Sequence, residues 1–560
     1  MAASTSFFLL SVCFSCKTAL SENPNIIIFL TDNLSFRDLS IYGNNSQQTP
    51  NIDRLAREGV LFSRWYSQSS RISSLASILT GLLPPRNGMI KSKFLSFKEI
   101  PSLASTGGLP NSEITLGKVL KAKGYSTSFV GLWGLGVGRN GEYLPLNHGF
   151  DYWYGVPSAH KEHCTNNYRA ASDSQYTWES VFSFFSPMLY VLPIVAFIVW
   201  YNGYSINMVT VFIIIIAFIF YTSVLHDVIH YTMDVIQIRS CVLYKNNNII
   251  EQPYTLENLT LRFTRSAVSF LEESSVSSKP FFLFVSFMNL NQPVFASQLF
   301  SNGSKSSYSD ALREVDWSIG RIVRTVRERR VDNNTIVIFT SATGHYVDET
   351  CDSSTPSENE DEETLCSKGI DKNDVWEQTI CVPAVITWLG HITPNQIIKT
   401  PVTIMDIMPT VLELLNHSAD ALQSDGKSLL PVLFNTSAES QHEYIFHYVE
   451  VTKPSAITRG SYKVVYTDIK DDGTVESFDP PLLFNVEVDP KEKTPLPNTE
   501  YRELLANISD ALLQHMSSRR NKWLSQLDSR IIPFWFPCAN FPHCFQKSDE
   551  TSDFSDLFHL

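Results

Sequence analysis

Continuous apolar runs alternate with amphipathic stretches along most of this chain. Asn25 to Leu30 reads Asn-Ile-Ile-Ile-Phe-Leu, and Phe281 to Phe287 and Thr335 to Thr340 are built the same way. A run that is apolar at nearly every position suits a strand buried on both faces. Between these runs lie helical patterns. One covers Asn51 to Gly59; another runs from near Ser309 to Arg330, with Leu312, Val315, Ile319 and Val323 three or four residues apart. The alternation predicts an α/β sheet with helices on both sides. Such sheets place ligands beyond the C-terminal ends of their strands, which puts Asp32-Asn33 and Ala342-Thr343 at one rim. After about residue 430 shorter strands appear, at Tyr444 to Val449 and Tyr462 to Tyr466. Residues 431–560 therefore read as a smaller C-terminal α+β part, and 22–180 and 227–430 as the two parts of the α/β domain. Glu349 to Glu363 is acidic and Ser-rich, a surface loop whose ends Cys351 and Cys366 could tie.

One stretch departs from both patterns. No charged residue occurs from Ser180 to Leu225, and two apolar limbs lie there, Val181 to Trp200 and Met208 to Leu225. Each approaches the ~20 residues needed to cross ~30 Å of hydrocarbon. Tyr201 to Asn207 supplies turn residues between them, and Trp200, Tyr201 and Tyr204 suit an interface belt. The segment 181–226 is expected to be a transmembrane helical hairpin that returns the chain to its starting side. A pair of buried core helices is the competing expectation, but Phe212-Ile213-Ile214-Ile215-Ile216 offers no polar face to solvent. Near the amino terminus, Phe7 to Phe14 is a short apolar run, and Ala19-Leu20-Ser21 supplies small residues for cleavage. Residues 1–21 read as a secretory signal peptide; an uncleaved anchor is the alternative, though the run is too short to span a bilayer.

Composition fits a lumenal chain. The formal net charge is −13 across 560 residues, with no basic stripe, which argues against nucleic acid as a partner. Eight Asn-x-Ser/Thr sequons occur, at Asn33, Asn44, Asn258, Asn302, Asn333, Asn416, Asn435 and Asn507. Of nine cysteines, Cys13 and Cys16 would leave with the signal, and an oxidising compartment favours pairing among the remaining seven. No cysteine spacing resembles a zinc site.

Several motifs give the chain a family likeness. Asn23-Pro24-Asn25-Ile26 through Asp32, then Thr49 to Gly59, resembles the amino-terminal signature of sulfatases. The match continues at Leu79-Thr80-Gly81, Arg86-Asn87-Gly88-Met89, Trp376-Glu377, Asp406 to Thr410 and Asp425 to Leu429. The hairpin, Ile249 to Pro253 with Asn258-Leu259-Thr260, Asp479 to Phe484 and the Cys538 to Cys544 tail resemble the steroid-sulfatase-like membrane arylsulfatases. The resemblance implies an alkaline-phosphatase-like fold, an endoplasmic-reticulum membrane location with a lumenal bulk, a Cys164–Cys241 disulfide bracketing the hairpin, and a glycan at Asn258. It also implies sulfate-ester hydrolysis. In that family a formylglycine, made from Cys in a Cys-x-Pro-x-Arg motif, is the nucleophile. A calcium ion held by carboxylates and an amide binds the sulfate, and Lys and His side chains assist.

Carried over position by position, this site is largely missing. The nucleophile position is Arg71, the motif's Pro is Ser73 and its Arg is Leu75. Arg cannot become formylglycine. The first acidic pair is Asp32-Asn33, but the second is Ala342-Thr343, and calcium wants ~6–8 oxygen ligands. Gly-Lys-Trp-His-Leu-Gly appears as Gly131-Leu132-Trp133-Gly134-Leu135-Gly136, and the His after the second strand is Asn289. Lys372, four before Trp376, survives. His345 lies beside the family's His position at Tyr346, and His226 and His230 end the second limb without a companion ligand. The expectation is a catalytically inactive relative that needs no cofactor, with calcium bound only if the site worked. A hydrophobic small molecule or a protein would then be the ligand of the retained cleft. The competing expectation is an active sulfuric ester hydrolase with an unrecognised nucleophile, such as Ser69, Ser70, Ser73 or Ser74. Without calcium, Asp32 would be an unpaired buried anion costing several kcal/mol. Arg71 brings a permanent cation with a carboxylate-shaped fork to the same place, so pairing with Asp32 is expected; otherwise Arg71 points to solvent.

Overall fold

The structure, a computed structural model, describes residues 23–43, 49–90, 103–158, 164, 240–344, 375–417 and 423–558. Within these, 278, 292, 302–305, 470–473, 519–524, 528, 533–534, 542–543, 549 and 551–552 are excepted. The signal segment, the 181–226 hairpin and the acidic loop with Cys351 and Cys366 lie outside the described residues. Among the described residues no helix is long and apolar enough to cross a membrane.

Along the chain come β1 (Asn25–Thr31), α1 (Pro50–Glu58), β2 (Val60–Phe62), β3 (Trp65–Tyr66), α2 (Arg71–Thr80), α3 (Leu116–Ala122), β4 (Ser126–Leu132) and β5 (Tyr152–Val156). There follow β6 (Leu243–Lys245), β7 (Asn248–Glu251), α4 (Leu259–Val276), β8 (Phe281–Ser286), α5 (Ser307–Glu328) and β9 (Thr335–Ser341). Then come β10 (Ala384–Trp388), β11 (Gln396–Ile398), β12 (Val402–Thr403) and α6 (Ile407–Leu414). One sheet of ten strands, ordered β11-β2-β10-β9-β1-β8-β4-β5-β6-β7, forms the body. Its centre, β9-β1-β8-β4-β5, is parallel throughout.

The unbroken apolar runs have a direct physical reason. Successive strand side chains point to opposite faces, and β1 divides its residues between two cores. Ile26, Ile28 and Leu30 pack into one cluster with α2, α3 and α6. Ile27 and Phe29 pack into the other, with α1, α4 and α5. All seven β1 residues are buried. The N-terminus of α1 is held by Asp316 of α5, whose carboxylate accepts from the Asn51 and Ile52 main-chain N–H groups, in the manner of a helix cap supplied from elsewhere.

The C-terminal part is a four-stranded antiparallel sheet, β13 (Ile445–His447), β14 (Ala456–Arg459), β15 (Tyr462–Ile469) and β16 (Val475–Asn485), with α7 (Arg502–Ser517) against it. A buried ion cluster ties it to the body. Lys463 on β15 lies 3.1 Å from Glu377, just ahead of β10, and 2.9 Å from Glu492. The Glu377 N–H donates to Glu492 at 2.7 Å, and Tyr66 of β3 donates to Glu377. Cys538 and Cys544 are joined by a disulfide, as are Cys164 and Cys241, whose Cα atoms are 5.6 Å apart. The latter bond closes the excursion between β5 and β6.

Candidate active site

Four adjacent parallel strands deliver the site. Asp32 follows β1, Ala342 and Thr343 follow β9, Ser286 ends β8 and Leu132 ends β4. Facing them is the N-terminus of α2, whose first residue is Arg71 and whose N-cap Ser70 accepts from the Ser73 N–H. All ten α2 residues are buried. A cation at a helix N-terminus opposes the helix dipole, and the first turn of α2 contains no acidic residue. Partners from outside the helix must hold Arg71 in place.

They do so in two ways. The guanidinium donates through Nη2 to the Leu132 carbonyl at 2.6 Å and to the Ser286 hydroxyl at 2.9 Å, and through Nη1 to the Trp133 carbonyl at 3.3 Å. Its Nε lies 3.7 Å from Asp32 Oδ2. The two side chains form an ion pair with 8% and 1% of their surface exposed. The fork does not clasp the carboxylate, in contrast to the expected geometry. Its hydrogen bonds go to two main-chain carbonyls and a hydroxyl, and among the described residues Arg71 Nε and Asp32 Oδ1 have no hydrogen-bond partner. Burial accordingly pulls the Arg71 pKa down to about 10, and Asp32 offsets only part of that. Asp32 Oδ2 accepts instead from the Asn291 amide at 2.6 Å.

The remaining positions are occupied with one another. Asn33 adopts a left-handed backbone, φ 62°, and its Oδ1 accepts from the Thr343 hydroxyl at 2.6 Å. Both residues are buried, so the sequon at Asn33 does not present its amide to solvent. The Ala342 carbonyl accepts from Ser74, and Leu75 is fully buried in the core. Asn289 donates to the Ala311 carbonyl and is fully buried. Lys372, His345, Tyr346, His226 and His230 lie outside the described residues. Asn258 is described, half-buried, at the N-cap of α4 with φ 58°. Sequence reasoning missed Ser286 and Asn291. Both are polar residues at or just past the end of an apolar strand run, the one local sign of a place at the rim.

These residues do not fit a calcium ion. A permanent cation already stands beside Asp32, the Asn33 oxygen is bonded to Thr343, and Ala342 brings no side-chain oxygen to a site that needs ~6–8. Among the described residues no group of three or more His, Cys, Asp or Glu side chains is placed to hold a metal. The serines around Arg71 are bonded to groups that cannot accept a proton for catalysis. Ser69 donates to the Tyr448 carbonyl, Ser73 to the Met89 carbonyl, Ser74 to the Ala342 carbonyl and Ser70 to Ser73.

A four-strand parallel rim, a helix N-terminus aimed at it and an antiparallel C-terminal sheet make up an α/β fold of the alkaline-phosphatase-like kind. The chain belongs to the sulfatase family. Residues 24–417 match the sulfatase family, and 440–546 match the C-terminal region of aryl-sulfatase. It is similar to human arylsulfatase H, 31% identical over 94% of this chain and 97% of the relative. It is also similar to human steryl-sulfatase, 30% identical over 91% of each. The PsFucS1 sulfatase from Pseudoalteromonas sp. superposes with a TM-score of 0.69 at 22% identity, over 90% of this chain and 92% of that one. That likeness bears on the fold alone.

Proposed function

We propose that this chain is a catalytically inactive sulfatase-family glycoprotein of the endoplasmic-reticulum membrane, lumenal in bulk and anchored by the 181–226 hairpin. The observation that carries the inactive reading is Arg71. A guanidinium occupies the head of α2, where the resemblance puts the nucleophile, and it is bonded to Leu132, Trp133 and Ser286 beside Asp32. Covalent catalysis needs a nucleophile with a base in reach, and the hydroxyls of Ser69, Ser70, Ser73 and Ser74 point at carbonyls or each other. Calcium would supply the electrostatic clamp on the sulfate, worth several kcal/mol in metal enzymes, and these residues do not fit it. The similarity to human steryl-sulfatase and the two disulfides support a secretory-pathway location. The uncharged limbs of 181–226 support membrane anchorage. Its role is then to bind a hydrophobic small molecule or a protein on that scaffold. The test is turnover of a simple aryl sulfate by the full-length protein in detergent, with and without calcium. No turnover above a buffer blank is expected, and calcium-dependent turnover would overturn the inactive reading.

A further inference from the structure

The residue that displaces the cation also has a geometric partner across the site. Gly134 adopts φ +77°, and a Cβ there would stand 2.6 Å from Arg71 Nη1, closer than real Cβ contacts come. The obstructing atom is not a free side-chain end, because the guanidinium is tied to Leu132, Trp133 and Ser286. Moving it aside would break charge-assisted hydrogen bonds that are stronger than neutral ones. It would also take the buried Asp32 further from its counter-charge. One side chain thus fills two places at once: that of a cation beside Asp32 and that of any side chain at position 134.

We propose that Arg71 and Gly134 are an interlocked pair that keeps the site self-occupied, with no room for a side chain at 134 and no need of a divalent cation while Arg71 is in place. This deepens the inactive reading and rests on it. Neither residue can change alone at its ordinary cost. A side chain at 134 collides with the guanidinium, and truncating Arg71 strands Asp32.

A double-mutant cycle on the full chain in detergent tests the pair, comparing wild type, Arg71→Ala, Gly134→Ala and the double variant by equilibrium unfolding. The strain of an alanine at positive φ is present in both backgrounds and cancels. The expected result is that Gly134→Ala raises the unfolding constant by about tenfold more with Arg71 present than with Arg71→Ala. Additivity within about twofold overturns the interlock. If Arg71→Ala is too unstable to fold because it strands Asp32, the same cycle is run in an Asp32→Asn background, where Gly134→Ala should again cost about tenfold more with Arg71 present, and additivity overturns the proposal. Gly134→Ala failing to fold with and without Arg71 in both backgrounds overturns it too. Calcium should leave the wild-type melting temperature unchanged; a calcium-dependent rise also overturns the proposal. Aryl-sulfate turnover would sink the inactive reading, whereas an additive cycle without turnover sinks the interlock alone.

Discussion

Two buried cations sit at opposite ends of a scale of electrostatic care. Lys463 is fully buried, and two carboxylates lie 3.1 and 2.9 Å from its ammonium. Burial pulls its pKa down, but Glu377 and Glu492 outweigh burial, and the net shift is upward. Arg71 is nearly as enclosed, has one carboxylate at 3.7 Å and ends with its pKa lowered to about 10. A buried ion pair must recover several kcal/mol of desolvation per ion, and only close, well-bonded geometry does so. The clamp between the C-terminal sheet and the body comes closer to that demand, with two carboxylates against one ammonium, although Glu492 Oε1 also lacks a hydrogen-bond partner among the described residues. The pair at the strand ends meets it only in part, with Asp32 Oδ1 and Arg71 Nε unbonded among the described residues. The difference separates a cation held mainly by carboxylates from one held mainly by carbonyls and a hydroxyl. In the second, carbonyls and a serine hold the cation, and the carboxylate has a counter-charge at 3.7 Å and one hydrogen bond, from Asn291.

The comparison breaks most visibly at Lys463. Lys463→Met leaves two carboxylates buried side by side, and the expected loss is ~3–5 kcal/mol, enough to deplete folded protein. Equilibrium unfolding should show this loss to exceed that of Arg71→Ala. Equal losses would mean that the Arg71 pair is as well optimised as the clamp.

A pH-dependent effect comes next. Glu314 is fully buried, and burial raises its pKa from 4.5 to about 7, although it accepts from the Ser297 hydroxyl and N–H. A carboxyl raised in the folded state binds its proton more tightly there. Its stabilisation is complete below pH 4.5 and is lost as the pH rises to about 7. Glu314→Gln should flatten the melting temperature across that window, leaving the slope that Asp316 contributes through its pKa of about 6. Matching profiles for variant and wild type would show that Glu314 is not the group responsible. The smallest expected effect is none at all. Arg71→Cys alone should give no aryl-sulfate turnover, because Ser73, Leu75, Ala342 and Leu132 still depart from the family pattern; any turnover would show the rest of the site to be intact.

What the sequence revealed follows from how each element is stabilised. The strands β1, β8 and β9 were legible to within a residue, because burial on both faces leaves an apolar run with no polar break. The helices α1 and α5 were legible because each has a wet face and a dry one. The helix α2 was not. Arg-Ile-Ser-Ser-Leu-Ala-Ser-Ile-Leu-Thr is buried throughout, so it shows no amphipathic contrast, and its serines are poor helix formers. Tertiary packing and the Ser70 cap hold it. The placement of Arg71 near Asp32 was anticipated from charge, but its actual hydrogen bonds were not. Ser286 lies 215 positions away and Asn291 lies 259 positions from Asp32, and nothing local in the sequence encodes such meetings.

The Cys164–Cys241 bond gives the excursion between β5 and β6 a mechanical meaning. Its two feet, 77 residues apart in sequence, are fastened together at the sheet. A tug on the intervening chain is taken up by a covalent strut before it reaches the hydrogen bonds between Tyr154 and Lys245 or Gly155 and Tyr244. The register of β5 and β6 is therefore insulated by one covalent bond from tension that arrives through the chain between the two cysteines.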